Sequence, residues 1–304
     1  MNQQKFVSVL IVNYNSGSYA KACIESLFNQ NNITLEIIVV DNASADDSVK
    51  VLSASFGKKI TLIESKHNLG FGQANNLAAS LAKGDFLLLL NPDTEIQDPL
   101  AMNKMVDFLI ENPKLGMVGP KIYEPRKNKY VTPRFTYPQS KKLKFRDQLE
   151  NLPGKIAWLL GACLLLKHEV YQAIAGFDAD YFLYGEDADI GFRIRQHGYE
   201  IGYCDTVKIM HVSGASEIGA DSLDKWLRKK RGVFLFCTKH YDRRDVLKIA
   251  KSAMIKSKFY FALMWFSGLF GCKNNVAFTD KKHRLQATII VATEVINQLE
   301  MPAE

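Results

Sequence analysis

The chain reads as an α/β protein built on a doubly wound, mostly parallel sheet, with a helical appendage at its C-terminus. Three observations point there. Short apolar runs alternate with helical periodicity four times within about 90 residues, the rhythm of βαβ units. The runs are apolar throughout rather than alternating, as strands covered on both faces must be. Several end abruptly in Asn or Asp, the residue types expected where open α/β sheets present ligand sites at their carboxyl edge.

Phe6–Val12 is strand-length and apolar, and it leads into the turn-forming Asn13-Tyr14-Asn15-Ser16-Gly17. The segment from Ser18 to about Gln30 carries Ala22, Ile24, Leu27 and Phe28 as the apolar members of a helix. Glu36–Val40 is a second buried strand ending in Asp41-Asn42-Ala43-Ser44. Asp46–Phe56 is expected to be helical and Ile60–Ile63 a third strand. His67 to Gly72 forms a glycine-bearing loop before a helix over Gln73–Lys83. Phe86–Leu90 is too short for a helix and stops at Asn91-Pro92-Asp93, because proline cannot donate to a ladder.

Beyond it, Pro99–Glu111 reads as a helix and Met117–Val118 as a short strand. Tyr123–Glu150, with Pro125, Pro133, Pro138 and many lysines, reads as a mobile excursion over the site. Ile156–Leu166 resumes strand character, and Lys167–Ala175 is a helix stopped by Gly176. Glu186-Asp187-Ala188-Asp189 opens a helix through about Gln196, ended by His197-Gly198. Glu200–Cys204 and Val207–Met210 read as two strands, with His211 following. From about Ser222 the chain turns helical and basic, which sets the expected division at residues 1–220 and 221–304.

Composition narrows the function. Hydrophobic residues make up 47% and charged residues 23%, ordinary for a globular protein, and 39 Lys+Arg against 32 Asp+Glu leave +7. That modest excess suits an anionic substrate or membrane surface, and without a dense basic-aromatic patch it argues against nucleic acid. Five scattered cysteines, none in a Cys-x-x-Cys pair, suit reduced thiols and a cytoplasmic location. No secretory leader is expected, since Phe6–Val12 is strand-like, and no run reaches the roughly 20 apolar residues a membrane span needs.

The candidate chemistry lies where strands end. Asp93 either caps the next helix or holds a cation. Asp41 follows its strand in the same way, and Asn13 a third, so a polar cleft is expected at one sheet edge. There Asp41 would accept from a base or sugar edge, and Asp93 would hold a hard divalent cation, Mg²⁺ or Mn²⁺. Asn68-Leu69-Gly70-Phe71-Gly72 is either a tight turn or a ligand-contacting loop, because its glycine spacing matches neither common phosphate fingerprint. Glu186, Asp187 and Asp189 complement a helix dipole, but three carboxylates in four residues exceed what capping needs, so one is a candidate general base. His211 is either structural or a partner for Asp93. The run Arg228-Lys229-Lys230-Arg231 is either a solvated face or charge compensation for a diphosphate.

These residues also fall into an ordered set. Val9–Asn15, Val39–Ser44, Asn68–Gly72 with Asn75-Asn76, Asn91–Thr94, Trp158–Ala162, Gly176–Ile190 and His211 together resemble the family-2 glycosyltransferases, in their rhamnosyltransferase-like branch. The resemblance covers about residues 5 to 240. It implies a GT-A fold, a nucleotide-diphosphate sugar donor and inversion at the anomeric carbon. By the same resemblance Asn13 and Asp41 contact the nucleoside, and Asn68, Gly72, Asn76 and Asn91 line the nucleotide cleft. Asp93 and His211 ligate the metal, and Asp187 is the base with Glu186 beside the acceptor. Trp158, Gly161 and Ala162 shape the acceptor side. One departure stands out: the usual Asp-x-Asp is Asn91-Pro92-Asp93 here, with one carboxylate fewer.

The implied activity is transfer of a sugar, L-rhamnose from dTDP-rhamnose, to a cell-envelope glycan or polyprenyl-linked acceptor. Alternatives are a UDP-sugar donor, a nucleotidyltransferase, or a non-catalytic sugar-binding relative. A nucleotidyltransferase would need a basic phosphate loop near the N-terminus, and Asn13–Ser18 has no Lys or Arg. In the C-terminal extension, Asp245–Gly271 mixes lysines with aromatic residues. It would either pack as a helix or lie peripherally on the inner face of the cell membrane. Residues 275–304 read as a further helix for docking or for a homodimer.

Overall fold

The structure is a computed structural model that describes residues 5–143, 149, 151–214, 221–268 and 276–301. The chain divides into two compact units. One comprises residues 1–137, 147–182 and 186–218, and the other residues 138–146, 183–185 and 219–304. Two earlier segments thus join the C-terminal helices in the second unit.

The first unit is built on one sheet. β1 (Phe6–Asn13), β2 (Thr34–Asp41), β3 (Thr61–Glu64) and β4 (Phe86–Leu90) form its parallel half in the order β3-β2-β1-β4. Beyond β4 it is mixed. β8 (Cys163–Lys167) runs antiparallel to β4, and β6 (Leu115–Glu124) antiparallel to β8. β9 (Glu200–His211) runs parallel to β6, and the two-residue β5 (Thr94–Glu95) closes the edge against β9. A short β7 (Lys129–Val131) pairs only with β6.

Both faces are covered, which is why these strands are apolar throughout. On one face Val7, Val9 and Ile11 of β1 pack with Ile24 and Leu27 of α1 (Gly17–Leu27), Leu52 of α2 (Ser48–Phe56) and Met105 of α4 (Ala101–Glu111). On the other, Leu10 packs with Ala74 and Ala78 of α3 (Phe71–Ala79), Val170 of α5 (His168–Ala173) and Ile190 and Ile194 of α6 (Glu186–Gln196).

Four expectations need correcting. The strand expected at Met117–Val118 spans Leu115–Glu124. Its Gly116, Gly119 and Pro120 hid it: a Cβ at Gly119 would meet Leu159 at 2.8 Å, and the register with β9 shifts between Pro120 and Lys121. Ile156–Leu166 is a strand only from Cys163 onward, and Trp158 makes an isolated bridge with Arg134. The excursion of 123–150 contains the β6–β7 hairpin and two single 3₁₀ turns, while residues 144–148 and 150 lie outside the described part. The two strands expected around Asp205-Thr206 are one, because β9 runs unbroken past Asp205 and Thr206, both exposed.

The second unit holds α7 (Ser222–His240), α8 (Arg243–Gly268) and α9 (Val276–Glu300). Asp221 caps α7 by accepting from the Leu223 N–H, and α9 packs along both α7 and α8. Tyr241 donates to the Pro138 carbonyl at 2.7 Å, tying Pro138 to the end of α7. The backbone of Tyr184 and Gly185 lies on Gly232 so closely that a Cβ there would sit 1.9 Å from the Tyr184 oxygen. Both turn residues have positive φ, 71° and 98°. The end of the basic aromatic segment, through Gly271, and residue 275 lie outside the described residues. Among the described residues no helix is long and apolar enough to cross a membrane.

Candidate functional site

Parallel pairing brings the first two strand ends together. Asn13 and Asp41 are register partners at the carboxyl ends of β1 and β2. Asn13 Nδ2 donates to Asp41 Oδ2 at 2.8 Å, and both residues are almost fully buried. Ser44 completes the cluster. Its hydroxyl donates to Asp41 Oδ2 at 2.7 Å, its N–H donates to Oδ1 at 2.9 Å, and it accepts from Asn13 Nδ2 and the Asn15 N–H. A buried carboxylate receiving three such bonds is held in place, while Asn13 Oδ1 has no partner within the described residues. The role of Ser44 was not foreseen, although its place three residues after Asp41 is an Asx-turn signal.

The glycine loop is held from the same side. Asn42 Nδ2 donates to Asn68 Oδ1 at 3.0 Å and to the Gly70 carbonyl at 3.1 Å, and Asn42 Oδ1 accepts from the Leu69 N–H. Gly70 has φ 78°, and a Cβ there would strike the Phe182 carbonyl oxygen at 2.4 Å, so the loop needs glycine. Two expected cleft residues do other work. Asn76 donates to the Phe177 carbonyl at 2.8 Å and accepts from the Phe177 N–H and the Tyr171 hydroxyl, so its amide clasps the Gly176-Phe177 turn. Gly72 is buried where a Cβ would meet Phe177 at 3.0 Å, a packing position.

Asn91 and Asp93 follow β4. Thr94 is the register partner of His211, and the Val212 N–H donates to the Asp93 carbonyl, so the β5–β9 pairing carries Asp93 to the end of β9. His211 Nε2 and Asp93 Oδ1 are 3.1 Å apart, with both side chains about nine-tenths buried. Asn91 Nδ2 lies 3.4 Å from the same imidazole nitrogen, and the buried Asn91 Oδ1 and His211 Nδ1 have no partner among the described residues. Such orphaned atoms are rare in native interiors, and water or a ligand would satisfy them.

Further polar atoms gather at the start of α6. Glu186 is buried, its Oε2 without a partner among the described residues, and burial, followed by the neighbouring Asp187 charge, pushes its carboxyl up to about 8. Half-buried Asp187 is pushed up to about 6 by burial, against the lowering effect of N–H groups of Ala188 and Gly161 and of the Arg134 charge. Asp187 Oδ1 accepts from the Ala188 N–H at 2.8 Å. A Cβ on Gly161 would lie 3.6 Å from Asp187 Cβ. Half-buried Trp158 donates to the Thr136 carbonyl at 3.1 Å, and the Arg134 guanidinium lies over its ring at 5.7 Å. Ala162 is buried and accepts from the Asn91 N–H, linking this side to the end of β4. Arg134 was not among the expected residues, since nothing in its local sequence separates it from the other cations of the excursion. The third acid, Asp189, is paired to Arg193 at 2.7 Å, and Arg193 also holds the Ile174 and Gly176 carbonyls. It is structural.

The donor set fits a hard divalent cation. One carboxylate oxygen and one imidazole nitrogen stand 3.1 Å apart, close to the ~3 Å edge expected for adjacent ligands about 2.1 Å from a metal. An unsatisfied amide oxygen adjoins them. No group of three or more His, Cys, Asp or Glu is gathered among the described residues, so most of a cation's shell would come from bound phosphate and water.

Residues 8–175 match the glycosyl transferase family 2 model. The N-acetylglucosaminyl-diphospho-decaprenol L-rhamnosyltransferase of Mycobacterium tuberculosis is 24% identical over 75% of this chain and 82% of its own. The O-antigen chain rhamnosyltransferase WbaN of Salmonella anatum is 22% identical over 67% of this chain and 65% of its own. Among solved structures, the mannosyltransferase PcManGT from Pyrobaculum calidifontis, in complex with GDP-Man and Mn²⁺, superposes with a TM-score of 0.60 at 16% identity. That superposition covers 99% of this chain and 89% of PcManGT. Staphylococcus aureus TarS 1–349 in complex with UDP gives 0.53 at 14% identity, over 98% and 93%. The match spans more than half of the chain, and the fold agrees with it: the protein belongs to glycosyl transferase family 2 and is a glycosyltransferase of GT-A fold.

Proposed function

We propose that this enzyme transfers L-rhamnose from dTDP-rhamnose, with inversion, to a lipid-linked precursor of a cell-envelope polysaccharide. The observation that carries the site is the meeting of Asp93 and His211, which are 118 residues apart in sequence (211 minus 93), 3.1 Å from one another. The choice of sugar and acceptor leans on the activities named for the mycobacterial and Salmonella relatives.

In this reading Asn13 and Asp41, stiffened by Ser44, receive the nucleoside, and the Asn68–Gly70 loop flanks it. Asp93 and His211 hold a divalent cation, Mg²⁺ or Mn²⁺, with Asn91 beside them. When bound, that cation neutralises charge on the departing diphosphate. Asp187 accepts the proton of the acceptor hydroxyl as that oxygen attacks the sugar from the face opposite the leaving group. A base near pH 6 is mostly ionised at neutral pH, whereas Glu186 stays protonated and can donate to the acceptor or its incoming oxygen. Trp158 and Gly161 line the acceptor side. Ala162 serves by fixing Asn91, and Asn76 and Gly72 shape the nucleotide cleft through their hold on the Phe177 turn.

The test is a thermal-shift and hydrolysis panel of nucleotide sugars with Mn²⁺. Thymidine diphosphate and dTDP-rhamnose should stabilise the enzyme more than their uridine counterparts. Preference for a UDP-sugar would overturn the donor and leave the site reading intact. Absence of any nucleotide-sugar binding would overturn both.

A further inference from the structure

The second unit carries a feature that sugar transfer does not use. α8 buries Val246, Ile249, Ala250, Ser257 and Met264 on one side. On the other, Ile255, Phe259 and Leu263 recur every four residues and are 61%, 61% and 48% exposed. Tyr260, beside them, is 52% exposed. Aligned exposed side chains of this size form a continuous apolar stripe, unlike the scattered apolar residues of an ordinary surface. Lys256 and Lys258 flank it, and no carboxylate among the described residues pairs with either.

The same unit gathers further cations around one ring. Lys229, Lys230 and Arg284 converge on the Trp226 ring at 5.3, 5.9 and 5.8 Å from its centre. The indole N–H is taken by Asp280 at 2.7 Å. Burial, then Arg284 and Lys142, hold the Lys230 ammonium below the usual lysine range. Burial, then Lys256, does the same to Lys142. Among the described residues Lys142, Lys230, Lys256 and Arg284 have no carboxylate within ion-pair distance. Beside the single Asp280 carboxylate, this excess of positive charge favours an anionic surface.

We propose that the stripe of Ile255, Phe259 and Leu263, flanked by Lys256 and Lys258, docks the enzyme on an anionic lipid leaflet. Apolar side chains enter the acyl boundary while lysines meet headgroup phosphates, the design of a helix lying in the interface plane. A second copy of the chain is the poorer occupant, since a two-fold contact on this face would set lysine against lysine. The inference stands apart from the choice of donor and acceptor, because docking needs neither.

The experiment is flotation of the full chain with vesicles of phosphatidylcholine alone or mixed with phosphatidylglycerol, without sugar donor. The wild type should float with the mixed vesicles only. Lys256→Gln and Lys258→Gln should each weaken partitioning about fivefold. The triple variant Ile255→Ser/Phe259→Ser/Leu263→Ser should remain in the soluble layer with an unchanged circular-dichroism melt, since all three residues are exposed. Equal flotation on both vesicle types, no flotation, or variants that float like the wild type would overturn the proposal. So would a dimer by light scattering that the triple variant dissolves.

Discussion

Replacing Asp187 with asparagine tests the assignment of the base. The substitution keeps the size of the side chain and an acceptor for the Ala188 N–H at 2.8 Å, so the start of α6 should hold. It removes the group able to take a proton. General-base assistance is worth roughly 10²–10⁴ in rate, so kcat should fall by that factor, about 2.7–5.5 kcal/mol of barrier. The wild-type pH profile supplies an independent check. With Asp187 near 6, activity should lose half its value around that pH and fall tenfold per unit below it. Arg134→Gln removes a charge that lowers this carboxyl, so the acid limb should move to higher pH while nucleotide affinity is kept. The assay is nucleoside-diphosphate release across pH, with calorimetric binding of the nucleotide as the control. A folded Asp187→Asn enzyme within tenfold of wild-type kcat, or an acid limb unmoved in Arg134→Gln, would refute the reasoning.

Three further outcomes follow from the same geometry. Asp93→Ala and His211→Ala should each abolish the rise in melting temperature that Mn²⁺ gives in the presence of nucleotide, and retained Mn²⁺-dependent stabilisation would remove their role. Glu186→Gln should leave the fold more stable at pH 8–9 than the wild type, with the gap closing toward pH 4. The folded Glu186 carboxyl, raised to about 8, keeps a proton that the unfolded chain releases near 4.3, so wild-type stability falls as pH rises between those values, a trend thermal melts across pH would record. Gly176→Ala, at φ 68° with a Cβ placed 2.4 Å from Asn76 Oδ1, should cost about 2 kcal/mol or more in urea unfolding through backbone strain and a broken clasp.

Much of this protein could be read along the chain. Apolar runs of strand length, three of the four ending in Asn or Asp, disclosed the parallel half of the sheet and which residues stand at its edge. Phe86–Leu90 needed no partner information, because a double-sided core demands unbroken apolar residues and Pro92 must end the ladder. The acidic start of α6 was equally plain. β6 was not: Gly116, Gly119 and Pro120 look like breakers until the neighbours that crowd them are known.

What the tertiary structure alone decided is which side chains meet and which are already engaged. Asp93 reaches His211 through the Thr94–His211 register, a pairing between segments more than a hundred residues apart that no local pattern encodes. Arg134 acquires its bearing on Asp187 through an isolated bridge to Trp158. Asn76 and Asn13 look alike as residues, yet the Asn76 oxygen is filled by the Phe177 N–H and the Tyr171 hydroxyl, while the buried Asn13 oxygen has no partner among the described residues. Residue type and local order fix what a side chain can do, and the long-range contacts that fill or spare its hydrogen-bonding capacity fix what it is left to do.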